Sequence, residues 1–349
     1  MPRSERGVSG EGAAGVLDPA SPAQDRGPAG KAPAGPEGRR AGRLAARRRR
    51  GGRGRDRALP YVLLAPAALI LALVLGYPLV RLVLISMQDY GLRALFTGTT
   101  RWNGAANYRA VLADGQFGAV LLRTLVFCAA LAAGTLVIGL LVAQLMGRLG
   151  RRMRTAVTLC LICAWAMPNV AATLVWQWLF QPTYGVVNWL ITSTRLAGDY
   201  AQHDWLAGPH SAFFVLWLLV VWQSVPFVAL TLHAGLSQIP RSYYEAAALA
   251  GAGPWTGFRL VTVPLLRPIL LLVTILSVIW DFNVFNQIWI LTQGGPNGAT
   301  STLGIWSFAR AFSSQSFGQG AAIAVVSVAL LLVLTASYVR RLVRTGEQL

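Results

Sequence analysis

Six stretches of this chain are apolar for long enough to cross a bilayer, which takes about 20 residues as a helix. They cover about 60–86 (PYVLLAPAALILALVLGYPLVRLVLIS), 118–146, 154–180, 211–236, 268–292 and 321–339. The polar positions between them come in short clusters, without the alternating ten-residue segments of a membrane barrel. Hydrocarbon leaves backbone N–H and C=O groups without partners, so each run is expected to be a helix. The pattern predicts an all-α membrane protein with six spans in residues 58–349 and a core at 118–339.

Residues 1–57 have a different character. They carry 13 Arg and Lys31 against Glu5, Glu11, Asp18, Asp25, Glu37 and Asp56, and almost no large apolar residue. Such a segment cannot bury enough surface to fold, so a disordered basic tail is expected. Its arginine run (RRAGRLAARRRRGGRGR) is too long for the start of a secretory signal, and no small-residue cleavage site follows. Anionic membrane lipid is the expected partner, at about 1 kcal/mol per basic residue. No aromatic residue interleaves the arginines, so no nucleic-acid partner is expected.

Charge then sets the orientation. The loop after the second span holds Arg148, Arg151, Arg152 and Arg154; the loop after the fourth holds Arg241, Arg259 and Arg267; the C-terminus holds Arg340, Arg341 and Arg344. The loop after the third has Arg195 against Asp199 and Asp204, and the loop after the fifth has Arg310 alone. The first connection is mixed, with Arg93, Arg101 and Arg109 beside Asp89 and Asp114. Both termini are therefore expected to be cytoplasmic, in a multi-pass protein of the plasma (inner) membrane.

Only 13% of residues are charged, about half the usual share of a soluble domain. The net charge of +18 is spread over a tail and short loops, whereas a nucleic-acid binder gathers it on one face. Cys128, Cys160 and Cys163 all lie in apolar runs and read as small core residues rather than a disulfide framework. His203, His210 and His233 lack metal-ligand spacing, so no metal site is expected. The single lysine, Lys31, is followed by Ala32. A phosphate-cradling P-loop needs Gly-Lys-Ser/Thr, so the chain is not expected to hydrolyse ATP, and no catalytic residue is expected.

One segment between spans is unusual: YYEAAALAGAGPWTGFRLVTVPLLRP, residues 243–268. A connection of this length is expected to carry structure of its own. Residues 243–250 favour a helix, with Ser242 as N-cap and Glu245 in the first turn. Gly251 and Gly253 would end it, and Pro254 would start a second helix. Pro264 and Pro268 are expected to break the chain again before the next span.

Glu245, Ala246, Ala247, Gly251, Val261, Val263 and Pro264 match the spacing of the EAA loop. The segment, within 241–268, thus resembles the loop of permease subunits from binding-protein-dependent carbohydrate ABC importers, of the maltose-transporter type. The resemblance covers about 290 residues. It includes ANYRAVLADGQF (106–117), PTYGVVNWL (182–190), GLSQIPRSYYEAA and LTQGGPNGATSTL (291–303). Two positions depart from the pattern: Ala250 stands where it has Asp, and Arg123 stands where it has Asn, which reads as a helix-end anchor. The resemblance implies a type I importer permease fold and a coupling helix docked on a separate ATPase through Glu245, Ala246, Ala247, Gly251 and Pro264. It also implies a second homologous permease, two ABC ATPases that bind ATP and Mg, and an extracellular sugar-binding protein. No cofactor is expected on this chain.

A sugar pathway needs hydrogen-bonding side chains beside aromatic rings. Polar residues inside spans are costly and face the bundle interior or a water path. The third span offers Asn169 and Thr173, with Pro168 expected to kink it. The fourth offers Gln223, Ser224 and Phe227, and the fifth offers Ser277, Trp280 and Asp281. Ser277 and Asp281 share one face at i, i+4. Asn283, Asn286 and Gln287 would share another, so the two sets are not expected to line one path. Two alternatives stand beside a sugar permease. One is a glycerol-phosphate permease, which calls for basic groups along the path. The other is an ion- or proton-coupled transporter using Asp281, which leaves the EAA loop unexplained and should show an inverted repeat.

Overall fold

The computed structural model describes residues 60–194 and 198–346; the basic tail at 1–57 and Arg195 lie outside them. The described residues fall into two units, one ending at Leu71 and the other beginning at Ala72. In the first, residues 60–71 are helical and exposed.

The second unit opens with a π-helical turn, Ala72–Gly76, leading into α1 (Tyr77–Ser86). Two short helices follow, α2 (Leu92–Thr97) and α3 (Ala106–Ala113). Then come α4 (Phe117–Arg148), α5 (Arg151–Ala166), α6 (Asn169–Leu179), α7 (Val186–Thr194) and α8 (Pro209–Ser237). After α8 the chain forms α9 (Arg241–Leu249), α10 (Pro254–Gly257), a π-helical segment at Phe258–Thr262, and α11 (Val263–Phe282). It finishes with α12 (Asn286–Thr292), α13 (Leu303–Phe308) and α14 (Phe317–Gly346).

Among the described residues, five helical runs are long and apolar enough to span a membrane: Pro60–Ser86, Phe117–Arg148, Pro209–Ser237, Pro254–Thr292 and Phe317–Arg341. The pair α5 and α6 makes a sixth if it counts as one span, and it is bent by 99°. The expected kink at Pro168 is thus a full break. A residue before proline is driven out of the α region, and Met167 (φ −68, ψ 126) and Pro168 (φ −57, ψ 134) are both extended. Helix α5 has no buried residue, and Cys160 and Cys163 on it are exposed. Only Cys128 is a core thiol, contrary to the expectation for all three.

The core lies where α4 packs along α8, with Leu131, Leu216 and Leu219 wholly buried. Glycines set this approach. A Cβ at Gly139 would sit 2.6 Å from Val228 Cγ1, and one at Gly134 would sit 2.4 Å from Trp217 Cζ2. Gly139→Leu is therefore expected to destabilise the bundle by about 1–3 kcal/mol through overpacking. Thermal unfolding in detergent should show a lower midpoint for this variant than for Gly147→Leu, since nothing lies within 4 Å of a Cβ at Gly147.

The connections at 87–116 and 293–316 meet at one end of the unit. A two-residue antiparallel ladder pairs Gln88 with Trp102 and Asp89 with Arg101, the one strand pair among the described residues. Buried Asn107 donates from Nδ2 to Ser86 O (2.9 Å) and Gln88 O (2.8 Å). Arg310 pairs with Asp114 and lies 5.4 Å over the Trp306 ring. Arg123 does more than anchor a helix end. From α4 its guanidinium donates to Gly298 O and Ser301 O, both at 2.9 Å, and holds the turn that follows Gly-Gly-Pro.

Candidate functional site

Two features carry functional residues: a cavity among the apolar helices and an exposed loop between α8 and α11. The cavity lies beside a break in the fifth span. Helix α11 stops at Phe282, the chain is unwound through 283–285, and α12 restarts at Asn286. Asn283 stabilises the stop by donating from its own Nδ2 to Ile279 O at 2.7 Å.

This cavity is about 590 Å³, within the roughly 300–1,000 Å³ range of small-ligand sites. Of the residues predicted to line a path, Asn169, Gln223, Ser224, Phe227, Trp280 and Asp281 all line it. Thr173 and Ser277 do not. Thr173 is fully buried and donates to Asn169 O at 2.8 Å, and Ser277 is buried within the helix packing. A side-chain hydroxyl returned to the i−4 carbonyl has no need of a ligand.

Asn283, Asn286 and Gln287 were expected on a different face, yet they border the same cavity. Helical periodicity separates these faces only along an unbroken helix. The three unwound residues interrupt the helical register, so face assignments made for one continuous helix no longer apply across 283–285. Gln287 donates from Nε2 to Gln223 Oε1 at 3.3 Å, tying α12 to α8 across the cavity.

The walls pair acceptors with rings. Phe227 packs against Trp280 (5.1 Å between centroids, edge-on) and against Trp165 (6.3 Å, stacked). Asp281 is 5% exposed, and its Oδ2 has no hydrogen-bond partner; the same holds for Oδ1 of Asn169. Two residues that line the cavity thus each keep a buried oxygen without a donor, an expensive arrangement. Trp165 escaped the sequence reading because a lone tryptophan in an apolar run carries no signal that it faces inward.

The loop differs in character. Helix α9 begins at Arg241 after Pro240, so Ser242 is inside it and is not its N-cap, and Glu245 falls in the second turn. Proline with ψ 139 ends the preceding chain and leaves no side chain to cap. The C-terminal end follows expectation. Gly251 takes φ +81, its N–H bonds Ala248 O (3.0 Å), and the Ala252 N–H bonds Ala247 O (2.9 Å). These two bonds define a Schellman closure. Pro254 opens α10 as expected.

Pro264 and Pro268 do not break the chain. The wider π-helical turns of Phe258–Thr262 lead directly into α11, where Pro264 sits in the first turn and Pro268 lies within the helix. Pro264 directly follows the π-helical segment, where the hydrogen-bond pattern changes and the missing N–H is more easily absorbed.

Glu245, Ala246, Gly251 and Pro264 are exposed, and Ala247 is half-buried. Leu249 and Trp255 are 91% and 71% exposed on the same loop. Tyr244 OH and Thr262 Oγ1 lie 3.0 Å apart and fix α9 against the π-helical segment. Beside them lies a second cavity of about 560 Å³, bordered by Ala247, Ala252, Gly253 and, from α4, Gly147 and Arg148. Bare small residues with protruding apolar side chains make a surface that another rigid body can approach closely.

The family of binding-protein-dependent transport system inner membrane components matches residues 135–345. The diacetylchitobiose uptake system permease protein DasB of Streptomyces coelicolor is 44% identical over 288 residues, 82% of this chain and 88% of that protein. The sulfoquinovosyl glycerol transport system permease protein SmoG of Agrobacterium fabrum is 35% identical over 292 residues, 84% of this chain and 92% of the other. Among solved structures, a chain of a bacterial ABC transporter involved in import of the acidic polysaccharide alginate superposes with a TM-score of 0.70 at 18% identity. That match covers 84% of this chain and 99% of the other, and it is a likeness of fold.

Proposed function

Because the chain belongs to the binding-protein-dependent transport system inner membrane component family, we propose that it is one permease subunit of an ATP-driven importer for a neutral di- or oligosaccharide. It is a multi-pass membrane protein and a transporter component. The observation that carries the substrate reading is the cavity at the broken fifth span, where amides, aromatic rings and one carboxylate converge. Carbohydrate hydroxyls need the amides, and the apolar faces of sugar rings suit Phe227, Trp165 and Trp280. Among its described lining residues none is Arg, Lys or His. A phosphate cargo would need such groups, so the glycerol-phosphate alternative loses ground. The acidic cargo of the alginate importer would meet the same obstacle here.

In this reading both termini are cytoplasmic and the loop at 241–268 faces the ATPase. Leu249 and Trp255 would be covered by a cleft on that subunit, with Glu245 as the charged contact. ATP and Mg would be held by two such ATPases. A second, homologous permease would complete the pathway, and an extracellular binding protein would deliver the sugar. ATP-driven closure of the ATPases would move the coupling helices together and switch the cavity between the two sides of the membrane.

The test is co-purification. This chain is produced with the second permease and the ATPase from its own gene neighbourhood, and the complex is recovered through a tag on this chain. The unmodified chain should retain ATPase, and Glu245→Ala should retain it poorly or lose sugar-stimulated hydrolysis. If ATPase is recovered with neither protein in several detergents, the loop is not a docking element and the reading is wrong.

A further inference from the structure

We infer that the groove between α5 and α8 holds an acyl chain of an anionic phospholipid, with the headgroup phosphate between Arg152 and Arg154. The groove is about 640 Å³ and lies on a face of α8 other than the one that borders the cavity at the broken span. Met153, Val157, Cys160 and Ala164 line it from α5, and Trp217 and Trp222 from α8. No charged side chain is among its described lining residues. The Trp217 N–H is already spent on Ala130 O at 2.9 Å. Such walls offer little to a polar ligand and suit a hydrocarbon chain. Helix α5 has no buried residue, so this face of it is left uncovered by the rest of the described chain.

Length and charge commit the occupant to a lipid. From Met153 to Ala164 the lining follows α5 for about 16 Å, at about 1.5 Å per residue. One leaflet of a bilayer has hydrocarbon about 15 Å deep, half of a core of about 30 Å. An acyl chain that enters at headgroup level therefore fills the groove along its length. At the Met153 end, Arg152 and Arg154 stand on either side of the lining face, each about 100° around the helix, and Arg151 falls on the far side. All three are exposed, and the first turn of α5 contains no acid. Arg154 Nη2 donates to Leu149 O (2.9 Å), and among the described residues neither Arg152 nor Arg154 pairs with a carboxylate. Guanidinium groups match phosphate oxygens in geometry and charge. A helix of a partner subunit could cover the apolar wall but would leave these two cations to be matched separately. A phospholipid brings the chain and the phosphate in one molecule, and an anionic headgroup adds no cation of its own to compete with the arginines.

Photolabelling tests this. The full chain, with the subunits that co-purify with it, is placed in phosphatidylcholine nanodiscs. These contain a trace of either phosphatidylglycerol or phosphatidylcholine with a diazirine on one acyl chain, and labelled residues are mapped by mass spectrometry. Phosphatidylglycerol should label the groove at least ten-fold more than phosphatidylcholine does. Arg152→Gln should lower that ratio about five-fold, the preference expected of one basic residue near an anionic headgroup. Arg152→Gln combined with Arg154→Gln should bring it close to one. Arg151→Gln removes the same charge from the far side of α5 and should change the ratio less than two-fold. Cys160→Trp fills the groove and should abolish labelling there while labelling on other faces of the chain persists. Equal labelling by the two lipids, or equal effects of Arg151→Gln and Arg152→Gln, would overturn the headgroup contact. If neither lipid labels the groove while other faces are labelled, protein covers it and the lipid site is wrong.

Discussion

Valine in place of Gly251 is expected to weaken ATPase association at least ten-fold and to lower sugar uptake in proportion. Gly251 sits at φ +81, a region that a β-branched residue avoids, and its conformation closes the end of α9 through two backbone bonds. Forcing a side chain there costs about 1–3 kcal/mol, which the loop can avoid by unwinding its last turn. That turn holds Ala247, Ala248 and Leu249, the surface proposed to enter the ATPase cleft. The effect should be graded. Asn tolerates left-handed backbone and should keep most of the affinity, Ala should keep less, and Val least. ATPase titrated onto permease complexes in nanodiscs would measure the series. Equal affinity across all four residues would show that the geometry of this turn has no part in docking.

The second large effect is expected at Gly185, in the turn between α6 and α7. A Cβ there would lie 2.3 Å from Gln181 O, 2.6 Å from Leu179 O and 2.7 Å from Gln181 N. All three are backbone atoms, and no rotamer change can relieve the clash. Gly185→Ala must therefore open the turn between α6 and α7, at about 3 kcal/mol. The damage would spread to Asn188, which is 2% exposed. Asn188 accepts from Trp205 Nε1 (2.6 Å) and donates to Pro182 O (3.2 Å) and His203 O (2.9 Å). Near-UV circular dichroism and thermal unfolding should both report the loss. Gly115→Ala is the control, because nothing lies within 4 Å of a Cβ there.

The sequence made most of the spans and the EAA loop readable, for a physical reason. Bilayer crossing demands about 20 apolar residues whatever the tertiary contacts, and Gly251 and Pro254 act locally on their own backbone. What the sequence hid depended on partners far along the chain. Asp281, Asn283, Asn286 and Gln287 interrupt the apolar run at 268–292, but on one continuous helix they divide between two faces and do not mark an unwound stretch at 283–285. Pro168 was visible as a disturbance, but whether α5 and α6 would bend slightly or by 99° is decided by what each packs against. Arg123 reads as a charge near a helix end until the turn at 298–301, more than 170 residues later, is folded onto it. Ser242 and Glu245 were misplaced by a few residues because Pro240 starts the helix earlier than a capping side chain would.

The unwound stretch at 283–285 also separates two demands that a continuous span would combine. Every residue of an unbroken helix must suit insertion into hydrocarbon and, if it borders the path, cargo recognition as well. Here α11 and α12 can meet the first demand, while Asn283, Val284 and Phe285 lie between the two helices and beside the cavity. Among the three, Val284 can be substituted to reshape the space offered to cargo while leaving the Asn283 bond to Ile279 O and the Phe285 cap of α12 in place. Specificity can therefore be altered at this joint with less risk to membrane integration, which makes Val284 the place to begin engineering an importer for a different saccharide.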